Sequence, residues 1–247
     1  MRRPRSLLAA LAGLATVPAT AFAGPPFATA DPVPTDLGRW EIYSFASLSH
    51  RVGDTGGAAG LDLNYGGLKD LQLTAVIPLA YDRADGVGRA GLGNIELAAK
   101  YRVLHQVEGT AIPDLAVFPR VFASTGGKRF GTGRTNLLLP IWLGKDVGPW
   151  SVFGGGGYDI NPGPGQRNYW VSGLGVTRSV SKRLTLGVEV YHHGPDADDA
   201  AAFTGLNAGA IYKLNDHWSL LASGGPGVQN ARNEGQYSLY AALKAGY

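Results

Sequence analysis

Hydrophobic and polar residues alternate along most of the chain with the two-residue period of β-strands. The alternation is clear over residues 61–65 and again over residues 71–75, and the segment between them carries two glycines and forms a turn signal. A register that pairs Tyr65 with Leu71 places apolar residues opposite apolar residues and polar opposite polar. The pattern therefore predicts a β-hairpin with one apolar and one polar face.

A second hairpin is predicted around a turn at residues 181–183. Pairing Val176 with Val188 places Gly173 opposite Tyr191, an arrangement in which an aromatic ring covers a bare glycine. The same pattern continues along the chain and predicts about twelve strands of roughly 9–11 residues, the length of a tilted membrane-spanning strand. They cover residues 39–50, 57–66, 71–81, 92–103, 112–123, 135–145, 149–159, 168–179, 184–193, 204–213, 218–226 and 236–247.

The connections between these strands fall into two groups. An even number of strands returns both termini to one side, expected to be periplasmic, and this side takes the tight connections. These are residues 66–70, 145–148, 181–183 and 214–217. The longer polar or Gly-rich connections fall on the extracellular side, at residues 52–56, 83–89, 124–134, 160–167, 194–202 and 228–235.

Tryptophan and tyrosine residues lie mainly at the strand ends. The strand limits follow from the alternation alone and do not depend on these aromatic residues. By strand parity they face outward and form a ring at each end, like the girdles that flank the lipid-facing band of a membrane barrel. A water-soluble barrel would pack such rings on its inward face. The predicted fold is an all-β, closed antiparallel transmembrane β-barrel of about 12 strands. The girdle residues are Trp40, Tyr65, Tyr101, Trp150, Tyr212, Trp218 and Tyr247 at the periplasmic end and Tyr81, Tyr158, Trp170 and Tyr237 at the extracellular end.

The first 23 residues have the composition of a secretory signal peptide. Three arginines precede an apolar run over residues 7–17, which is shorter than the roughly 20 residues of an anchoring helix, and Ala21-Phe22-Ala23 supplies a cleavage site. A second candidate cleavage site ends at Ala30. Residues 24–38 are Pro-rich and are expected to form a periplasmic N-terminal leader before a barrel over residues 39–247. Export through the Sec pathway then predicts the outer membrane of a Gram-negative bacterium.

The net charge gives little information about binding partners once the signal peptide is excluded. The formal net charge of +3 comes from 22 basic and 19 acidic residues, and three of the basic residues are signal-peptide arginines, which leaves 19 of each sign. The sequence pI of about 9.1 therefore does not predict binding to nucleic acid. The chain has no cysteine and no later apolar stretch of helix-spanning length. Without disulfides, the fold must be stabilised by hydrogen bonds and packing. Without a spanning apolar stretch, a helical membrane protein is excluded.

Strand parity also predicts which side chains face the lumen. Charges of both signs are among them, which favours a cross-lumen network of salt bridges, since unpaired buried charge is costly. The alternative is a narrow, weakly charge-selective conduit, in which inward rings suit an apolar or aromatic solute or simply fill space. The predicted charged lumen residues are Glu41, Asp62, Glu96, Lys100, Arg102, Asp114, Arg120, Glu189, Lys213 and Lys244, and the predicted lumen aromatics are Tyr43, Phe45, Phe118, Phe122, Phe153, Tyr191 and Tyr240.

Several short motifs resemble a known family. The runs Leu61-Asp62-Leu63-Asn64-Tyr65-Gly66 and Gly91-Leu92-Gly93-Asn94 are similar to segments of the outer-membrane barrels called the phenol-degradation MetA-pathway family. The resemblance implies a channel or uptake protein for small, often aromatic molecules, with no established catalytic residues. Where the family usually has Asp, this chain has Asn94, so no charge is expected there. Further similar segments are residues 40–41, 71–78, 100–102 and 184–191.

The sequence leaves two alternatives to a channel. One is a structural barrel with a plugged lumen and no transport. The other is an outer-membrane lipid hydrolase or acyltransferase, because the register places Ser172 opposite His192 on the outward face, the minimum for nucleophilic catalysis. Thr204 would be a poor third member of a catalytic triad, and the chain has no Gly-x-Ser-x-Gly motif. The prediction is that the protein is not an enzyme, and no cofactor is expected.

Charged loops predict contacts with lipopolysaccharide rather than a metal centre. One loop is acidic, and simple solvation of its carboxylates is favoured over a divalent-cation site. Its residues are His193, Asp196, Asp198 and Asp199, and a basic loop carries Lys128, Arg129 and Arg134. The predicted partners are outer-membrane lipids and lipopolysaccharide, a small-molecule solute, and the outer-membrane assembly machinery, which would bind the last strand ending at Tyr247.

Overall fold

The computed structural model describes residues 25–84, 86–229 and 235–247. Within this part of the chain it has fourteen β-strands and a short 3-10 helix, Ser124–Gly126, and no helix long and apolar enough to cross a membrane. The strands are β1 (Trp40–Arg51), β2 (Asp54–Leu68), β3 (Leu71–Ala84), β4 (Val87–Leu92), β5 (Ile95–Leu104), β6 (Asp114–Val117), β7 (Arg120–Ala123), β8 (Asn136–Val147), β9 (Trp150–Ile160), β10 (Tyr169–Ser179), β11 (Leu184–His193), β12 (Phe203–Lys213), β13 (Trp218–Pro226) and β14 (Tyr237–Gly246).

The strands close into one barrel. Each strand pairs antiparallel with its neighbours, and β1 pairs with β14 from Glu41 to His50. β4 and β5 both pair with β3, and β6 and β7 both pair with β5 and β8, so each of these two pairs forms one interrupted strand of the wall. The wall therefore has 12 strands, and the predicted closed antiparallel barrel is confirmed.

The two interruptions have local causes. Pro119 has no amide hydrogen to give to a ladder, and it lies between β6 and β7. Gly93 and Asn94 separate β4 from β5, and Thr125 bridges this gap. Its hydroxyl accepts a hydrogen bond from Ile95 N at 2.8 Å and donates one to Gly93 O at 2.7 Å. The loop after β7 is thereby fixed across the wall.

Apolar side chains cover the outer face of the wall and polar ones the inner face, the reverse of a water-soluble domain. Leu73 and Val188 are 48% and 57% exposed, whereas the inward Gln72 and Asp62 are 7% and 8% exposed. An outer face of this kind is stable in lipid, where the hydrogen-bonded closed wall satisfies the backbone.

The register of the second hairpin is confirmed, with Val176 opposite Val188. The predicted register of the first hairpin is wrong, because Tyr65 pairs with Leu73 and not with Leu71. A β-bulge beside the turn leaves a turn of two residues instead of five. Since the resulting shift is two residues, every side chain keeps its predicted face.

Two predicted extracellular loops are also wrong. β1 and β2 are joined by residues 52–53 alone, and strands β3 and β4 occupy most of the predicted loop 83–89. Backbone hydrogen bonds do not need apolar side chains, so polar and glycine residues extend these hairpins. The end with the two-residue turns 69–70 and 148–149 is called the short-turn end below, and it also holds the C-terminus at Tyr247. The opposite end is called the long-loop end.

Residues 25–36, called the strap below, lie inside the barrel. Phe27 and Ala30 are 3% and 0% exposed, and most of their strap neighbours are buried too. This corrects the expected periplasmic leader over residues 24–38, because the small and apolar side chains of the segment fill space inside the wall. The predicted signal peptide falls within residues 1–24, outside the described residues.

Candidate functional site

The strap enters the lumen at the short-turn end, where polar side chains of the wall hold its backbone. The Gln72 side chain accepts two hydrogen bonds from Thr35, from the backbone N at 2.9 Å and from the hydroxyl at 3.0 Å. Lys100 Nζ then donates to the carbonyls of Asp31 at 3.0 Å and Val33 at 3.4 Å. The predicted lumen residue Lys100 and its inward neighbour Gln72 thus bind the strap.

Glu189 binds the strap near the middle of the barrel. Its two carboxylate oxygens accept hydrogen bonds from the backbone N of Ala28 at 2.9 Å and of Thr29 at 2.8 Å. Asn207 Nδ2 donates a third bond to the same carboxylate at 2.8 Å. Glu189 is 3% exposed, so these donors replace the water that would otherwise solvate a buried negative charge.

Packing complements these hydrogen bonds. The Phe27 ring lies 6.3 Å from the Phe153 ring, measured between centroids, and covers Gly187, where a Cβ would approach the Phe27 ring to 2.6 Å. A Cβ on Gly173 would come within 2.0 Å of the Thr29 hydroxyl. The strap therefore fits against wall positions that have no side chain.

Tyr191 lies opposite Gly173 as predicted, but it does not cover that glycine. A Cβ on Gly205 would lie 2.6 Å from the Tyr191 ring, whereas Gly173 is covered by Thr29 of the strap. The Tyr191 hydroxyl instead shares a hydrogen bond of 3.0 Å with Ser238. The ring thus packs on the next strand because the strap already occupies the place above Gly173.

The inward charges pair along the wall, between neighbouring strands. Arg120 donates to Glu96 through Nε and Nη2, at 2.7 Å each, and both side chains are at most 5% exposed. Lys244 pairs with Glu41, on the strand that closes the barrel. Lys213, predicted in the lumen, is exposed at the short-turn end. The expected network across the lumen is therefore replaced by neighbouring pairs and by bonds to the strap.

A further cluster of charged side chains lies at the short-turn end of β5. Arg102 donates to Asp70 at 2.9 Å and lies 3.5 Å from Asp114, while His105 Nε2 lies 3.0 Å from Asp70. Desolvation acts to raise the pKa of Asp70, but the hydrogen bonds from Arg102 and His105 outweigh it and hold that pKa below its ordinary value. The two-residue turn is thus tied to the next strand by charge.

Two buried carboxylates accept hydrogen bonds from neutral side chains. Asp62 accepts a hydrogen bond from Asn64 Nδ2 at 2.8 Å, and Asp159 accepts from Asn136 Nδ2 and from the Tyr169 hydroxyl at 3.1 Å each. Within the part of the chain that the structure describes, neither carboxylate forms an ion pair. The positive charge of Arg120, which is paired with Glu96, acts electrostatically on both carboxylates.

Above the strap, the lumen widens toward the long-loop end into a cavity of about 270 Å³, called the vestibule below. Its aromatic lining includes Phe45, Phe122, Phe130, Trp142, Tyr169, Tyr191 and Tyr240. A second, polar cavity of about 60 Å³ lies beside the strap toward the short-turn end. The residues that line both cavities, called the neck below, are Pro25, Asp62, Val76, Glu96 and Arg120.

The predicted lumen aromatics lie inside the barrel at two levels. Phe45, Phe122, Tyr191 and Tyr240 line the vestibule. Tyr43 and Phe118 line the smaller polar cavity, and Phe153 packs on the strap. Strand parity could also have identified Trp142 and Asp159, which share the inward face of β8 and β9 but were not among the predicted site residues. The strap has no such periodic signal.

The predicted girdle residues lie on the outer face, and none of them is buried. Cross-strand ring pairs form at both ends, with centroid distances of 4.7 Å for Trp40 and Tyr65 and 4.9 Å for Tyr158 and Trp170. Most exposures lie between 40% and 65%, as for Tyr81, Tyr101, Trp150, Trp170, Tyr212, Tyr237 and Tyr247, and Trp218 is half-buried.

The outward pair Ser172 and His192 does not form a catalytic arrangement. His192 Nδ1 lies 2.9 Å from the Thr204 hydroxyl, which donates at 2.9 Å to Gln229 Oε1, so Thr204 orients the imidazole. No hydrogen bond joins Ser172 to His192 in the described residues. The geometry lacks the nucleophile–base contact that acyl transfer needs.

The loop residues weighed for ion binding are dispersed. His193 Nδ1 donates to Gly194 O at 2.7 Å, and Asp198 pairs with Arg167 at 3.0 Å. Over residues 25–84, 86–229 and 235–247, no group of three metal-ligating side chains is assembled. Arg129 lines the vestibule, while Lys128, Arg134 and Asp199 are exposed.

Solved structures share this architecture. The fold is similar to that of an outer membrane channel from Pseudomonas putida F1, with a TM-score of 0.68 and 17% identity over 88% of this chain and 98% of that chain. It is also similar to the translocator domain of the autotransporter NalP from Neisseria meningitidis, with a TM-score of 0.57 and 14% identity over 85% and 89% of the two chains. No protein-family model matches the sequence, and no curated protein matches it. These likenesses show the fold, an outer-membrane β-barrel.

Proposed function

We propose that this outer-membrane β-barrel is a channel or uptake protein for small apolar or aromatic molecules and that it carries out no catalysis. The observation that carries the proposal is the vestibule, a cavity with an aromatic lining at the long-loop end. Rings such as Phe45 and Tyr240 offer flat apolar surface to a solute, and the volume of about 270 Å³ is just below the usual range of small-ligand sites, which suits a small solute. A barrel that served only as a scaffold would not need an apolar cavity above a polar neck.

One polar group in the vestibule favours a solute with an oxygen acceptor. Trp142 is 3% exposed and lines the vestibule, and its indole Nε1 has no hydrogen-bond partner among the described residues. A buried donor without an acceptor is unfavourable, so a solute oxygen would stabilise it once a rotation of the side chain exposed the indole nitrogen to the vestibule. An aromatic ring that carries a nitro, carbonyl or hydroxyl group combines both requirements.

The strap supports the alternative of a plugged structural barrel. It occupies the short-turn half of the lumen, and the space beside it that the described residues enclose includes the small polar cavity. A solute from the vestibule would therefore pass only if the strap moved, whereas water and small ions would need only the space beside it.

Two measurements test the proposal with nitrobenzene as the probe. Nitrobenzene quenches tryptophan fluorescence, so the refolded protein should show a saturable component of quenching that Trp142→Phe removes. The outward tryptophans Trp150 and Trp170 remain in that variant and report partition into the detergent. In liposomes the protein should speed nitrobenzene entry, measured by quenching of an entrapped dye. Saturable quenching without faster entry would support the plugged barrel, and no saturable component would refute the proposed solute class.

The membrane and the partners that we propose for this protein are inferred from its outer face. The exposed girdle fits the headgroup levels of an outer membrane, and basic loop residues such as Arg134 suit lipopolysaccharide phosphates. Strand β14 presents Tyr237 and Leu239 outward, and Tyr247 beside it is exposed. This is the arrangement that we expect the assembly machinery to bind, after export through the Sec pathway.

A further inference from the structure

Three charged side chains face outward on the described strands, where the wall meets lipid. Strand parity places Lys145 and Arg178 outward at the short-turn end and Arg83 outward at the long-loop end, whereas the other Asp, Glu, Lys and Arg residues of these strands have inward parity. A charge on the lipid-facing side is costly at the middle of the membrane and tolerated near the headgroups. The three positions therefore mark headgroup levels.

The two outward cations of the short-turn end differ in their contacts. Lys145 Nζ donates to the backbone carbonyls of Val107 at 2.7 Å and Ile112 at 2.9 Å, so the protein itself satisfies this ammonium group. Arg178 is exposed and lies opposite Trp150 on β9, with its guanidinium carbon 5.1 Å from the ring centroid. A cation–π contact of this kind orients the guanidinium without using its N–H groups.

The turn that follows Arg178 adds two more positive charges. Lys182 and Arg183 are exposed, and in the part of the chain that the structure describes neither of them, nor Arg178, forms an ion pair. No Asp or Glu occurs between Asp159 and Glu189, so the hairpin of β10 and β11 carries only basic residues at this end. The hairpin thus lacks a carboxylate that could neutralise the three cations.

Backbone contacts fix the positions from which these cations extend. Ser179 N donates to Pro149 O at 2.8 Å, which joins the end of β10 to the turn before Trp150. The Ser181 hydroxyl accepts hydrogen bonds from the backbone N of Arg183 at 3.2 Å and of Leu184 at 3.1 Å. An anion bound by Arg178 would therefore meet a turn that is already ordered.

We propose that Arg178, Lys182 and Arg183 form a site for the phosphate of an anionic phospholipid in the leaflet at the short-turn end. A guanidinium binds phosphate oxygens through two N–H groups, and the girdle residue Trp150 holds this one at the headgroup level. The inference goes beyond the proposed channel function and rests only on the membrane location. The short-turn end is expected to be periplasmic, and the periplasmic leaflet of an outer membrane consists of phospholipid.

The position of Arg178 favours a lipid over other anionic ligands. A soluble acidic protein could reach the turn residues Lys182 and Arg183, but Arg178 lies on the lipid-facing side of the wall, stacked on a girdle ring. A free phosphate ion has the same binding chemistry as a lipid phosphate. It lacks the acyl chains that would pack on outward apolar residues such as Val176 and Leu186 beside the site.

The test compares the local concentrations of two lipids at the site. Because the chain has no cysteine, Val180→Cys accepts a single fluorophore at an exposed position between Arg178 and Lys182. The mature protein, in phosphatidylcholine vesicles, receives phosphatidylglycerol or phosphatidylcholine with a nitroxide on the acyl chain near the headgroup. Half-maximal quenching should need at least about a fivefold smaller fraction of labelled phosphatidylglycerol than of labelled phosphatidylcholine, because one basic residue near a membrane contributes roughly fivefold to binding of an anionic lipid.

Substitutions then separate a defined site from general attraction to a basic surface. Arg178→Gln should lower the preference for phosphatidylglycerol about fivefold, and Lys182→Gln should lower it about twofold or less, because Lys182 lacks a ring that positions it. The matched control is Arg83→Gln, which removes the outward arginine of the opposite end and should leave the preference at residue 180 unchanged. If Arg178→Gln does not refold, Trp150→Leu removes the positioning ring and should lower the preference at least about twofold.

Three results would overturn the inference. No preference for phosphatidylglycerol at residue 180 would leave the basic turn to a soluble acidic partner. Equal losses in Arg178→Gln and Lys182→Gln would indicate diffuse attraction without a site. Loss of the preference in inorganic phosphate, but not in chloride of the same ionic strength, would assign the cations to a free anion. Since none of these measurements uses nitrobenzene, the inference can fail while the proposed channel stands.

Discussion

Replacing Glu189 with Gln should release the strap from the lumen. The substitution keeps the shape of the side chain but exchanges one acceptor oxygen for an NH2 group. In the structure one carboxylate oxygen accepts from Ala28 N and Asn207 Nδ2, and the other accepts from Thr29 N. Whichever way the Gln amide is oriented, at least one backbone donor of the strap then faces another donor.

The size of the effect follows from these contacts. A hydrogen bond to a charged acceptor contributes about 1.5–3 kcal/mol, and a buried donor left without an acceptor costs a similar amount. Loss of one such bond, with a second weakened by loss of the charge, gives about 3 kcal/mol. Since each 1.4 kcal/mol is tenfold in an equilibrium constant, the undocked fraction should rise roughly one hundredfold.

The fraction of molecules with an undocked strap can be measured in the variant Ala30→Cys, which has a single thiol because the chain has no cysteine. A maleimide labels this thiol when it is accessible. Ala30 is fully buried against Phe118 and Trp142, so its thiol reacts only when the strap leaves. If opening is fast compared with labelling, the labelling rate follows the undocked fraction. The rate should therefore rise roughly one hundredfold in Glu189→Gln, and the resistance of the barrel wall to urea should change much less.

A matched control separates loss of an anchor from loss of a buried charge. Asp159→Asn also converts a buried carboxylate to an amide, and the partners of Asp159 are Asn136 and Tyr169, which belong to the wall. This variant should leave labelling at Ala30→Cys nearly unchanged. A rise of less than about threefold in Glu189→Gln, or equal rises in both variants, would refute the assignment of Glu189 as the anchor of the strap.

Three further outcomes are expected. Gly173→Ala should raise thiol labelling at least tenfold, because its Cβ overlaps Thr29, and Thr29→Gly in the same protein should restore slow labelling. Glu96→Gln should lower the free energy of unfolding in urea by about 3–5 kcal/mol, since Arg120 loses its carboxylate, and a smaller loss than in Asp159→Asn would contradict this. Asp70→Asn should lower stability by about 0.5 kcal/mol at pH 7, and the difference should disappear as the pH falls through the lowered folded-state pKa, because a depressed carboxylate pKa stabilises only above the ordinary value.

The barrel could be predicted from the sequence because its signals are local. Alternation fixes the face of each residue within its own strand, and a register error of two residues at Tyr65 did not change any face. The girdle residues Trp40 and Trp170 mark strand ends without any knowledge of their partners. Loop lengths at residues 52–56 were less predictable, because hairpin pairing continues through polar and glycine residues.

The strap could not be predicted because it has no local signal of its own. Its Pro-rich sequence lacks strand periodicity, and its main anchor is 161 residues away from Ala28. The same limit applies to the ion pairs. Parity gave the inward face for Glu96, Arg120 and Asp62, but which of them pair depends on strand stagger and on where the strap lies.

The wall and the strap are complementary in shape. Three inward glycines, Gly144, Gly173 and Gly187, lie on different strands, and a Cβ on each would come within 3 Å of Pro32, Thr29 or Phe27 respectively. Side chains at these positions would narrow the lumen without closing it, whereas their absence leaves a groove that matches the strap. The composition of the inner wall is therefore explained by the strap, and the strap is part of the folded barrel rather than an appendage to it. Any passage through the protein then depends on the free energy of strap docking, which is the quantity that Glu189→Gln and Gly173→Ala are designed to change.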